Sequence, residues 1–217
     1  MLTDLKLKIT SLQKKNNILL IKEYLKNVHR WEYSTKEYYN LLPYYHLLNK
    51  EKKGRLLKNM TIEKWNYQDL FRFGFDENNK MIISEQHIDA DIRKGLYISL
   101  YEYSKHGYNK TYFKYYPTEN ENTPVINLIS ISKFEIGNNE NSIYVGVNIY
   151  GDSSTIEYFY DNNKLIKVIK TASRWKHKEE YNLFYNKNEE LYKIILGNTI
   201  YWQNLLSLCQ SPHISFH

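Results

Sequence analysis

Three potential metal ligands stand at alternate positions in His87-Ile88-Asp89-Ala90-Asp91. On a strand they would share one face; on a helix His87 and Asp91 would meet on one turn. Asp89 and Asp91 serve equally as a helix cap or as exposed turn charges, so the pattern alone does not make a centre. His177-Lys178-Glu179-Glu180 offers the His-x-x-Glu spacing of carboxylate metal sites, in a single copy without the second helix such sites use. Glu157 or Asp161 with Lys164 would suit a nuclease-like use of acids and a lysine on strands, an arrangement that random occurrence also produces.

The chain carries no Gly-x-Gly-x-x-Gly, Walker lysine loop, Gly-x-Ser-x-Gly or His-Glu-x-x-His motif, and it has only 8 glycines with which to wrap a phosphate. A single cysteine, Cys209, excludes an internal disulfide and a cysteine-based zinc site. The expectation is a protein without catalytic residues, cofactor or metal.

Positioning elements follow from periodicity. Leu5, Ile9 and Leu12 recur at helical spacing, and Ile18, Ile21, Leu25 and Val28 do so again, with a break at Asn16-Asn17. Ser34-Thr35-Lys36-Glu37 has the spacing of a capping box and precedes Tyr38, Leu41, Leu42, Tyr45 and Leu48, which predicts a third helix that Pro43 kinks or shortens. Lys50-Glu51-Lys52-Lys53-Gly54-Arg55 supplies the cations and glycine of a helix end.

From about Phe71 the period becomes two. An aromatic run, a polar turn and an aliphatic run make a hairpin across Phe75 to Met81; the pattern returns across Tyr160 to Leu165 and across Tyr185 to Leu191. Further hairpins are predicted around His106-Gly107 and Gly137-Asn138-Asn139. The fold class expected is α+β, with a helical N-terminal segment packed on a long antiparallel β-meander of up to about ten strands.

The domains expected are 1–65, helical and basic with 14 Lys+Arg against 6 Asp+Glu, and 66–217, β-rich with 16 against 18. A mass of 26.3 kDa is enough for a self-sufficient core, and a mean hydropathy of -0.66 leaves no apolar run of the ~18 residues a membrane span needs. The opening Met1-Leu2-Thr3-Asp4-Leu5-Lys6 lacks the apolar core and cleavage site of a secretory signal, so a cytoplasmic location is expected.

Tyrosine dominates, at 22 of 217 residues. Ala90 and Ala172 are the only alanines, a bias that AT-rich codon usage imposes and that inflates tyrosine as well. Alternation places Tyr158 and Tyr160 on one strand side, and Tyr181 and Tyr185 likewise; with Tyr112 and Tyr115 they are the candidate partner-binding residues.

Residues 156–195 resemble the tyrosine-aspartate (Rhs-type) hairpin repeats, through Tyr160-Asp161 with Leu165 and Tyr185-Asn186 with Leu191. Asn186 departs from the repeat's aspartate. The resemblance implies a scaffold that wraps or presents a surface, without catalytic groups. The chain is similar in type to the immunity proteins of bacterial polymorphic toxin systems. That similarity implies a protein partner, a cognate toxin blocked sterically, and a net charge of +6 implies either an acidic contact surface on it or a partner other than a nuclease. The alternatives are a single-stranded nucleic-acid-binding protein, since pI about 9.0 and strands such as Tyr112-Phe113-Lys114-Tyr115-Tyr116 combine cations with stacking rings, and a structural or secretion-associated adaptor.

Overall fold

The computed structural model describes residues 1–15, 17–65, 70–87, 95–117, 124–137 and 141–204. The fold is mostly antiparallel sheet with a helical N-terminus, a β-meander more than a balanced α+β protein. The chain forms two compact units: Met1–Lys133 with Gly146–Gly151, and Phe134–Val145 with Asp152–His217. The N-terminal helices thus share a unit with strands.

In the first unit, α1 (Leu2–Gln13) buries Leu5, Ile9 and Leu12, the stripe its periodicity requires. It ends where Asn17 donates its side-chain amide to the Leu12 carbonyl at 3.1 Å, satisfying one of the acceptors a helix end leaves over. Asn17 also opens α2 (Asn17–Lys26), which buries Ile21. There follow β1 (Arg30–Ser34), the single-turn α3 (Tyr45–Leu48), β2 (Leu56–Leu57), the single-turn α4 (Ile62–Trp65), β3 (Phe71–Phe75), β4 (Met81–His87), β5 (Leu96–Ser104) and β6 (Gly107–Tyr116). Their order is β2-β1-β3-β4-β5-β6: β1 lies between β2 and β3, so within this run only β2 is not paired with the next strand in sequence.

The helix expected from the capping box does not form. Ser34 ends β1 and its hydroxyl donates to the Lys36 carbonyl, turning the chain away; helical structure begins only beyond Pro43. The strand wins because Ser34 pairs with both Phe71 and Leu56.

Register places Arg72, Glu85, Ile98 and Phe113 in one cross-strand row. Phe113 and Ile98 are core residues, and Glu85 is only 2% exposed. Its carboxylate pairs with Arg72, whose guanidinium carbon sits 4.2 Å from the Trp31 ring centroid and 4.0 Å from that of Trp65. Burial pushes the Glu85 carboxyl above the usual carboxylate range, and the Arg72 charge pulls it part of the way back. Beside this pair lies a cluster of Tyr33, Trp65 and Leu70. At Gly74 in β3 an added Cβ would stand 2.6 Å from the Ile83 side chain and 2.8 Å from Val28, so glycine lets the chain after α2 close on the sheet.

β7 (Val125–Ile136) and β8 (Ser142–Asn148) contribute residues to both units. The second unit continues with β9 (Ser153–Asp161), β10 (Lys164–Ala172), β11 (Glu179–Tyr185), β12 (Leu191–Leu196) and β13 (Thr199–Gln203), each paired with its neighbour in sequence.

The three expected hairpins are present, with two turn designs. Asn162 and Asn163, at φ 48° and 63°, make a two-residue turn between Asp161 and Lys164, the left-handed pair that matches strand twist. The other two turns share one geometry. Asp76 accepts from the amides of Asn78 and Lys80 through its carboxylate, at 2.9 and 2.8 Å; Asn186 accepts from Asn188 and Glu190 at 2.9 and 3.0 Å. The departure from aspartate at Asn186 is neutral, because an amide oxygen accepts the same two bonds.

A tyrosine on the following strand then bonds the carbonyl of a residue just beyond a turn. The Tyr103 hydroxyl donates to the Met81 carbonyl and the Tyr185 hydroxyl to the Leu165 carbonyl, each at 2.9 Å. Tyr185→Phe is therefore expected to lower stability by about 1 kcal/mol, the net worth of one part-buried hydrogen bond. Urea denaturation of the two proteins checks it; identical midpoints would show that the hydroxyl contributes nothing.

Candidate functional site

In the second unit, register aligns Tyr158, Val168, Tyr181 and Leu196 in one row and Leu183, Ile194 and Trp202 in another. Tyr158 and Tyr181 are each 2% exposed. The tyrosine-rich side is thus the packed side, a correction to the expectation that Tyr158 and Tyr181 form a partner-binding face. Burial raises both hydroxyl pKa values; Glu179, which accepts from the Tyr181 hydroxyl at 2.8 Å, raises the latter further. Tyr160 is half-buried, and so is Tyr185, bonded as described.

The opposite side carries the mixture an interface uses. One row there runs Phe159, Lys167, Asn182, Ile195 and Ile200, and beside it lie Glu157, Ile169 and Glu180. Phe184 is 38% and Ile200 57% exposed. Lys193 stands 5.1 Å from the Phe184 ring centroid. Glu180 accepts from Lys167 at 3.1 Å and Lys178 at 3.2 Å, and these bonds hold its carboxyl below the usual range.

The first unit contains a polar cleft of about 840 Å³. Its floor is sheet, where Ser84, Ser99 and Tyr112 align in one row and Gln86 lies beside Tyr97. Its other wall is the segment 35–52, bringing Lys36, Lys50 and Lys52. Tyr112 stacks on Tyr97 with centroids 5.5 Å apart, and burial pushes its hydroxyl up to about 12 against the opposing pull of Lys110. Tyr115, three residues on, takes the other side of β6, half-buried and opposite Leu96. The structure therefore does not bring Tyr112 and Tyr115 to one surface.

Within the cleft, Glu37, His46 and Glu51 each offer a ligating atom within 4.8 Å of the others. The backbone assembles them. The Gly54 amide donates to the Glu37 carbonyl at 3.0 Å, and an added Cβ at Gly54 would lie 2.2 Å from the Lys36 oxygen, so that approach requires glycine. The Glu51 amide donates to the His46 carbonyl at 2.8 Å across the end of α3, with Lys50 between them at φ 54°. Burial raises the Glu37 carboxyl pKa; Lys110, a 3.1 Å hydrogen bond from Asn40 and His46 oppose the rise.

The earlier candidates disperse. His87 packs on Trp65 with centroids 4.2 Å apart, while Asp89, Asp91 and Cys209 lie outside the described residues. His177 precedes β11, on which Glu180 lies, so the pair lacks a common helix. Asp161 and Lys164 flank a turn; Lys164 pairs with Glu189 at 2.6 Å, and Glu157 stands opposite Ile169. Sequence reasoning placed Glu37 in a cap and missed His46 and Glu51, whose proximity has no motif spacing.

Among the described residues no helix is long and apolar enough to cross a membrane. Comparison with protein-family models, curated proteins and solved structures finds no match for the chain.

Proposed function

We propose that the chain is a non-enzymatic protein-binding protein that grips its partner with the side of the second unit bearing Phe159, Lys167, Phe184, Ile195 and Ile200. The observation supporting this reading is that Phe184 and Ile200 stay exposed amid lysines and glutamates while the tyrosine side is packed. Rings and aliphatics interleaved with charge give a contact both area and register. The specific form is neutralisation of a cognate bacterial toxin by steric occlusion, with the chain's net charge of +6 suited to an acidic partner surface.

The test is co-expression with the product of the neighbouring gene. A stoichiometric complex and rescued growth are expected, and Phe184→Ala with Ile200→Ala should weaken the complex at least about tenfold, since central interface residues cost over 1 kcal/mol when truncated. No complex, or a complex indifferent to the double variant, would overturn the reading. A second reading, binding of single-stranded nucleic acid, is favoured by the stacked Tyr97 and Tyr112 among Lys36, Lys50, Lys52 and Lys110. Oligonucleotide affinity falling steeply between low and physiological salt would support it.

A further inference from the structure

We propose that Glu37, His46 and Glu51 form a binding site for a divalent transition-metal cation of the zinc type. The first ground is geometry. Three ligating atoms from separate points of the segment 35–52 converge to within 4.8 Å. Ligands about 2.0–2.2 Å from a shared zinc ion stand roughly 3.5 Å apart, and Glu51, whose side chain is exposed, is the ligand with the most room to adjust toward that spacing.

The second ground is chemical need. Both ring nitrogens of His46 are shut off from solvent and have no hydrogen-bond partner among the described residues. Buried imidazole nitrogens normally have a donor or an acceptor, and a bare pair asks for an explanation. A cation on one nitrogen supplies it. It would also relieve two carboxylates held close together, of which Glu37 is buried enough for its charged form to be disfavoured.

The third ground is how the ligands are held. Tyr44 and Lys50, both bulky and both left-handed at φ 53° and 54°, bracket α3, and the Glu51 amide closes on the His46 carbonyl. Two unfavourable conformations persist here because the surrounding bonds over-determine them.

The donor set selects the ion. One imidazole and two carboxylates without sulfur disfavour copper(I), and the imidazole favours zinc over magnesium or calcium. Three protein ligands leave a coordination position open to the cleft, which water or a ligand group lying against Lys110 and Tyr112 would fill. Glu37 has another available counter-charge in Lys110, and the experiment separates the two accounts.

The untagged full-length chain, stripped with chelator and dialysed, is titrated with zinc chloride and separately with cobalt(II), whose visible absorption reports coordination. One equivalent bound with micromolar or tighter affinity is expected, along with a rise in unfolding temperature on zinc addition. Glu51→Gln, at an exposed position, should weaken binding at least about tenfold while leaving the metal-free unfolding temperature unchanged, and His46→Ala should weaken binding as much. The chain has 7 histidines, so affinity equal in wild type, Glu51→Gln and His46→Ala would assign the metal elsewhere and overturn the site. Absence of zinc binding overturns it as well. If His46→Ala fails to fold, Glu51→Gln decides.

Discussion

Arg72→Ala is expected to lower the unfolding free energy by about 3–5 kcal/mol, the cost of stranding a buried charge whose partner has been removed. Glu85 is 2% exposed and Arg72 is its ion-pair partner. Arg72 is also a packing element, its guanidinium between Trp31 and Trp65. Truncation therefore loses the counter-charge and opens a gap between two indoles. The loss has a pH signature. Glu85 already has a raised folded pKa, so its contribution is fully present below the unfolded pKa and declines as pH rises through the folded one. Without Arg72 the folded pKa climbs further, and the deficit of the variant should shrink as pH is lowered from 7 to 5. Urea denaturation of both proteins at the two pH values measures it. A deficit that stays constant, or grows toward acid, would show that Glu85 is not the group left stranded.

Tyr158→Ala should cost about 3–5 kcal/mol, the range for deleting a buried aromatic side chain. The ring lies edge-on to Phe134 with centroids 6.1 Å apart and stands in register with Val168, itself fully buried. Ile200→Ala, on the opposite side of the same unit, should stay within about 0.5 kcal/mol. The pair of variants separates packing from recognition, since the first is expected to lose partner binding only by unfolding and the second to lose it while folded. Equal stability effects at the two positions would mean that the sides have been assigned the wrong way round. Chemical denaturation followed by near-UV circular dichroism suits the measurement, because tyrosine supplies the signal.

The sequence made legible what is local. Leu5, Ile9 and Leu12 specify α1 by spacing alone, and the polar turns at Asp76, Asn162-Asn163 and Asn186 specify hairpins through side-chain bonds to their own backbone. Where local signals conflicted, partners decided. Ser34 and Glu37 have capping-box spacing, yet pairing of Ser34 with Phe71 and Leu56 claimed the segment for β1, a strand embedded in a lysine-rich stretch that reads as helical. Alternation separated the two sides of the strands carrying Tyr158 and Tyr181, but it cannot say which side packs. Tyr158 and Tyr181 turned out to be inside, with Phe184 and Ile200 left outside. The cleft was illegible because its parts meet only through tertiary approach. Gly54 against Lys36, and Glu51 against His46, create proximities that no fixed spacing encodes.

The strand order has a kinetic consequence. From β3 to β6, and again from β9 to β13, every strand pairs with the next in sequence, so closing one hairpin supplies the edge on which the following strand docks. Such sheets accumulate short-range contacts and escape most of the loop-closure entropy that slows β-proteins. The pairing of β1 with β3 is the exception, because it forms only after the whole stretch between Ser34 and Phe71 has been looped out. That stretch carries Glu37, His46 and Glu51. The cleft is therefore the late-assembling and early-opening part of the first unit, and an ion held there would act as a clasp on the long connection from β1 to β3.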